Sequence, residues 1–125
     1  MTSLFILAGV AGIMLFFSVA VAPTIFKVLP QEWASAYVRK SFPKYYAVLG
    51  GATALAAVAT PDATVRWVSG VCAVLFAVSL FLLTPAVNRA TDQGNKRLFG
   101  WLHGASILVN MGQLVALLVV LWQAR

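Results

Sequence analysis

Four polar side chains stand out in an otherwise apolar C-terminal stretch: His103, Ser106, Asn110 and Gln113. Their spacing is i, i+3, i+7, i+10, which places all four on one face of a helix. At a rise of about 1.5 Å per residue, Asn110 lies roughly 10 Å deeper along that helix than His103. An imidazole, a hydroxyl and two carboxamides can bridge neighbouring helices, line a ligand or permeation path, or hold a cofactor through the histidine. As intramembrane bridges, such bonds are worth on the order of 0.6 kcal/mol each, up to about 2.

Two prolines bear on the same region. Pro23 precedes Lys27 by four residues, and Pro85 precedes Arg89 by four. Each proline withholds a hydrogen bond from the carbonyl at i−4, here Val19 and Phe81, and favours a bend. By depth, Pro23, Pro85, Tyr46, Asn88 and His103 fall in one layer, so two bends facing it would open a vestibule headed by Lys27 and Arg89. The expected site is therefore Pro23, Lys27, Tyr46, Pro85, Asn88, Arg89, His103, Ser106 and Asn110. Both His103 and Asn110 are expected to face the protein interior, as a ligand site or as structural packing alone.

What is missing narrows the chemistry. The chain holds three Asp or Glu, one His and one Cys. No carboxylate falls inside an apolar stretch, which removes the usual intramembrane proton relay and the membrane di-metal site. Zinc or copper needs three or four His, Cys or carboxylate ligands, more than one such chain provides. No cofactor is expected, and the alternative is a haem or redox protein using His103. Cys72 cannot form an internal disulfide, and within an apolar run it reads as a small hydrophobe.

The elements that must position these residues follow from where charge is absent. No charged residue occurs in 2–26, 45–61, 67–88 or 98–124, stretches of 25, 17, 22 and 27 residues. A helix needs roughly 20 apolar residues to cross the hydrocarbon core, with about 17 to 25 tolerated. The chain is 62% hydrophobic and 10% charged, against about 25% charged in soluble domains. That composition excludes a soluble globular domain and a nucleic-acid binder. It predicts a single domain, an all-α integral membrane four-helix bundle with spans about 3–28, 43–61, 65–89 and 97–123. A barrel is excluded because the runs are continuous rather than alternating.

Seven of the nine basic residues, Lys27, Arg39, Lys40, Lys44, Arg89, Lys96 and Arg97, lie in the first and third connections. Arg66 and Arg125 lie at the other end. Positive charge in short loops marks the cytoplasmic face, so a multi-pass protein of the inner (plasma) membrane with both termini outside is expected. Trp33, Tyr37, Tyr45, Tyr46 and Trp101 fall at the inner ends, and Trp67 and Trp122 at the outer ends, as interfacial rings do. Ala20-Val21-Ala22 resembles a signal-peptide cleavage site, but the residues before it lack Lys and Arg, so the first stretch reads as a retained span.

The first connection can hold its own short interfacial helix: Pro30 starts it, Gln31 and Glu32 suit its first turn, and Trp33 and Tyr37 share a face. The third connection, Asp92-Gln93-Gly94-Asn95, reads as a turn. Small residues recur at four-residue spacing in Ala8/Gly12, Gly50/Ala54, Ala73/Ala77 and Gly100/Gly104, which suits close packing within the chain or association with a second copy. A faint duplication pairs Pro23-x-x-x-Lys27 with Pro85-x-x-x-Arg89, and Arg39–Pro43 with Lys96–Gly100. Two hairpins of the same orientation would make a parallel repeat.

At these residues the chain resembles the transmembrane protein 205 family of small polytopic membrane proteins. The matching blocks are Phe26-Lys27-Val28-Leu29-Pro30, Lys40-Ser41-Phe42-Pro43-Lys44-Tyr45-Tyr46, Val87-Asn88 and His103-Gly104-x-Ser106-x-x-x-Asn110. The resemblance implies four spans and a membrane location, and names no reaction. The expected function is a non-enzymatic membrane protein whose polar layer binds or passes a small molecule. The expected partners are membrane lipid and a further copy of the chain, with an accessory subunit of a larger membrane complex as another reading.

Overall fold

The computed structural model describes residues 2–124, and Met1 and Arg125 lie outside them. Four long helices fill the described residues, and no strand occurs among them. These are α1 (Thr2–Val28), α2 (Gln31–Ala59), α3 (Ala63–Asp92) and α4 (Lys96–Ala124). In a medium that offers no water, a helix satisfies its backbone groups within one segment, so long apolar runs wind this way.

The breaks between helices have local causes. Leu29 and Thr60 each precede a proline and are extended, with ψ of 144° and 140°, because the following ring crowds the helical conformation. Asp62 then caps α3, its carboxylate accepting from the Val65 N–H at 3.0 Å. Gly94, at φ +68°, ends α3 in the left-handed conformation that suits glycine. The Asn95 side chain caps α4 through the Leu98 N–H at 3.1 Å. The turn expected at 92–95 is present.

The structure corrects the first connection. Instead of an interfacial helix followed by a span starting near 43, one continuous 29-residue helix runs from Gln31 to Ala59, with Pro43 inside it. Pro43 gives no N–H to the Arg39 carbonyl, yet the helix holds because both its halves pack on protein. Ala34 is buried near its start, and Leu49 and Ala56 are buried farther on.

A second correction concerns the number of spans. Three helices, α1, α3 and α4, are long and apolar enough to cross a membrane. Helix α2 is long enough, but its charge-free part covers only 45–59. That part rises roughly 22 Å, short of a hydrocarbon core about 30 Å thick.

Helix α1 packs on α2, α2 on α3, α3 on α4, and α4 on α1, with the α2–α3 contact the most extensive. Leu7, Met14, Leu49, Phe76 and Leu117 are fully buried between them. Gly50 permits the close α2–α3 approach, since a Cβ there would lie 3.3 Å from the Phe76 Cβ. By contrast, Gly12, Gly100 and Gly104 have open space where a side chain would go. Among the small-residue pairs, Gly50/Ala54 is thus the one whose glycine serves packing within the chain.

Both proline-bearing helices are wound alike. Phe17–Val21 in α1 and Ser79–Leu83 in α3 form π-turns, each ending one residue before the residue that precedes its proline. The Ala22 N–H donates to the Phe17 carbonyl, and the Thr84 N–H to the Ser79 carbonyl. The wider turn absorbs the hydrogen bond that each proline withholds. The two π-turns are offset by 62 residues, as are Pro23 and Pro85, so the faint sequence duplication extends to backbone geometry.

Candidate functional site: the polar interior

Polar contacts cross between helices at four levels. Near the chain ends, the Ser3 hydroxyl donates to the Ala56 carbonyl at 2.8 Å, tying α1 to α2. Deeper, the Gln113 Nε2 donates to the Cys72 carbonyl at 3.0 Å, tying α4 to α3. Next, the Tyr45 hydroxyl donates to Asn110 Oδ1 at 3.3 Å, tying α2 to α4. At the opposite end, Arg39 pairs with the Asp92 carboxylate and donates to the Asn88 carbonyl at 3.2 Å, tying α2 to α3.

The expected layer is only partly assembled. Asn110 is half-buried and bonded to α2, as an inward-facing residue should be. Tyr46 is buried, but among rings: it lies 5.3 Å from Tyr45, 5.8 Å from Phe42 and 6.3 Å from Phe76, measured between centroids. Asn88 is half-buried, with its carbonyl bonded to Arg39.

His103 is placed differently from expectation. It is exposed, and its ring stacks on Phe99 at 5.3 Å, one turn away on its own helix. Ser106 also turns inward on its helix, donating to the Leu102 carbonyl at 3.0 Å. Pro23, Lys27, Pro85 and Arg89 are all exposed, so they do not converge on His103 as a vestibule. The cause is in α4. Its buried residues are Gln113, Leu114, Leu117 and Val120, all in its C-terminal part, so neighbouring helices cover the polar face only from about Asn110 onward.

Two residues matter more than their sequence pattern suggested. Gln113 is 2% exposed, and its Oε1 has no hydrogen-bond partner. Ser69, fully buried on α3 one turn before Cys72, has an unpartnered hydroxyl as well. An unmade bond at a buried polar atom costs roughly 1–3 kcal/mol, so two in one region need a reason. Beside Gln113 a groove of about 270 Å³ opens between α3 and α4, walled by Trp67, Val71, Leu75, Val109 and Gly112, with Gln113 in its lining. Tyr45, expected from the sequence as an interfacial ring, is buried beside Tyr46. The stripe Tyr45, Leu49, Thr53, Ala56 at helical spacing carried that signal, since all four are buried.

Among the described residues no three His, Cys, Asp or Glu side chains gather into a metal site. The arrangement places hydrogen-bonding groups in an apolar setting, with a shallow, almost wholly apolar recess beside Gln113.

No curated protein and no solved structure matches the chain. A family match covers residues 5–96, which is α1 from Phe5 onward, α2, α3 and the first residue of α4. Those 92 of 125 residues hold both π-turns, the Arg39–Asp92 pair and Gly50, so the features that shape the basic end and the α2–α3 contact lie within the match. The chain belongs to the family described as Domain of unknown function (DUF4149).

Proposed function

We propose that this is a non-enzymatic, four-span membrane protein that takes a small, largely apolar molecule from the bilayer into the groove between α3 and α4. The observation that carries this reading is the buried Gln113, whose Oε1 lacks a partner at the groove wall. Once the Gln113 carboxamide turns toward the groove, a ligand bearing one hydroxyl or amide donor would satisfy that acceptor, while Trp67, Val71 and Val109 would flank its apolar body. The Tyr45–Asn110 and Ser3–Ala56 bonds then act as ties between helices rather than as ligand groups. In this reading α2 is the fourth span: its buried stripe of Tyr45, Leu49, Thr53 and Ala56 packs on the other helices, while Val48, Leu55 and Val58 are exposed as lipid-facing side chains would be. The resemblance to the transmembrane protein 205 family supports the same count. Both termini lie outside the cell membrane and the basic connections inside, following the charge distribution.

Native mass spectrometry of the full chain, extracted in mild detergent, tests the proposal. The wild type should carry a co-purifying small molecule that Gln113→Leu loses and His103→Ala keeps. Equal ligand content in wild type and Gln113→Leu would refute it. Soret absorbance that disappears in His103→Ala would instead select the haem reading.

A further inference from the structure

The N-terminal half of α4 presents a second recess, separate from the Gln113 groove. It measures about 570 Å³ and is lined by Lys96, Arg97, Gly100, Trp101, Gly104 and Leu108, with Ala105 alongside. Lys96, Gly100, Gly104 and Leu108 follow at intervals of four, and Arg97, Trp101 and Ala105 form the adjoining row. The recess is thus a furrow along one helix, cut by the two missing side chains and banked by the Trp101 ring.

Its chemistry changes along its length. Two cations and an exposed tryptophan stand at the mouth, and beyond Gly100 the lining is wholly apolar. From Lys96 to Leu108 the furrow runs roughly 18 Å, close to half of a hydrocarbon core about 30 Å thick. Among the described residues the ion pair is Arg39 with Asp92, which leaves Lys96 and Arg97 outside it. The surrounding end of the molecule is strongly basic as well, with Lys27, Lys40, Lys44 and Arg89 all exposed.

We propose that this furrow binds one anionic phospholipid of the adjoining leaflet, its phosphate held by Lys96 and Arg97 and one acyl chain laid along Gly100 and Gly104. Charge complementarity selects the occupant. A neutral lipid leaves the two cations without a counter-charge, and a second copy of this chain brings the same two cations to the same face. The two glycines are what make room, because a Cβ at either would meet nothing within 4 Å. That geometry also supplies a clean probe: leucine at either position fills the furrow from outside without meeting the protein's own core.

The test uses the full chain reconstituted in phosphatidylcholine vesicles, with Trp33, Trp67 and Trp122 replaced by Phe so that Trp101 alone reports. Brominated phosphatidylglycerol should quench Trp101 at mole fractions about tenfold lower than brominated phosphatidylcholine does, the scale expected for two basic heads near a lipid phosphate. Lys96→Gln with Arg97→Gln should remove that preference. Gly100→Leu with Gly104→Leu should remove it too, although both cations remain. Free inorganic phosphate should not compete, which separates a lipid site from a simple anion site. The same comparison on a chain with all four tryptophans, read as phosphatidylglycerol retained through detergent extraction, guards against a misfolded reporter. Equal quenching by both lipids overturns the proposal. So does competition by free phosphate, or a dimer that the leucine pair converts to monomer with no change in lipid preference.

Discussion

Asn110 and His103 share a helix face, yet one is bonded to Tyr45 and the other is exposed. The difference predicts different costs of removal. Tyr45→Phe and Asn110→Leu each delete the same interhelical bond, so a double-mutant cycle in detergent should give a coupling of about 0.6 kcal/mol and no more than about 2. A coupling near zero would mean that the 3.3 Å contact contributes nothing. His103→Ala should shift thermal stability by no more than about 0.5 kcal/mol, since it loses only a surface stack on Phe99. A loss of several kcal/mol would place the ring in the interior after all. The Arg39–Asp92 pair sits at the aqueous end with both side chains over a third exposed. An ion pair of that kind is worth only about 0–1 kcal/mol and weakens in salt. Its use is to set where α2 meets the end of α3.

Prolines decide how the elements are wound. Pro43 sits inside α2 and leaves the Arg39 carbonyl without its helical donor, so Pro43→Ala should raise stability, by up to about 3 kcal/mol. No gain in a detergent melt would indicate a break at 43, as the sequence by itself suggests. Pro23 acts through the π-turn before it. With alanine there, an N–H returns for the Val19 carbonyl, and the turn can rewind as α-helix. Everything from Ala22 to Val28 would then rotate by roughly one residue, about 100°. Ile25, 8% exposed in the protein, reads out that rotation. A cysteine at 25, in a Cys72→Ala background, should resist maleimide with Pro23 present and react quickly in Pro23→Ala. Equal reactivity in both would show that packing, and not the proline, fixes the turn.

For the whole molecule, the standing of α2 controls topology. Helices α1, α3 and α4 are apolar enough to span by themselves, and α2 is not. Three spans put the chain ends on opposite faces of the membrane, whereas four put them on the same face. With α2 spanning, epitope tags at both ends of an intact chain should be accessible from outside the cell, and cysteines at Lys40 and Lys96 only from the cytoplasm. A tag on each side would reduce the protein to three spans with α2 lying against them. The basic residues at one end favour the first outcome, because cationic connections are retained in the cytoplasm. The Ser3–Ala56 bond agrees, since it brings the start of α1 beside the end of α2.

The sequence by itself determined where helices run and which solvent they meet. Charge-free stretches, prolines after Leu29 and Thr60, and Gly94 are local signals, and helix formation in an apolar medium is a local event. It could not determine that Gln31–Ala59 is one helix, because the gain that offsets Pro43 comes from packing by residues such as Ala34 and Leu49 against distant parts of the chain. Nor could it choose among the polar residues of α4. A helical face tells which side chains point the same way, but not how far along its length another helix covers them. Tertiary structure decided that Asn110 and Gln113 are covered and His103 is not, because the residues of α4 that become buried all lie in its C-terminal part.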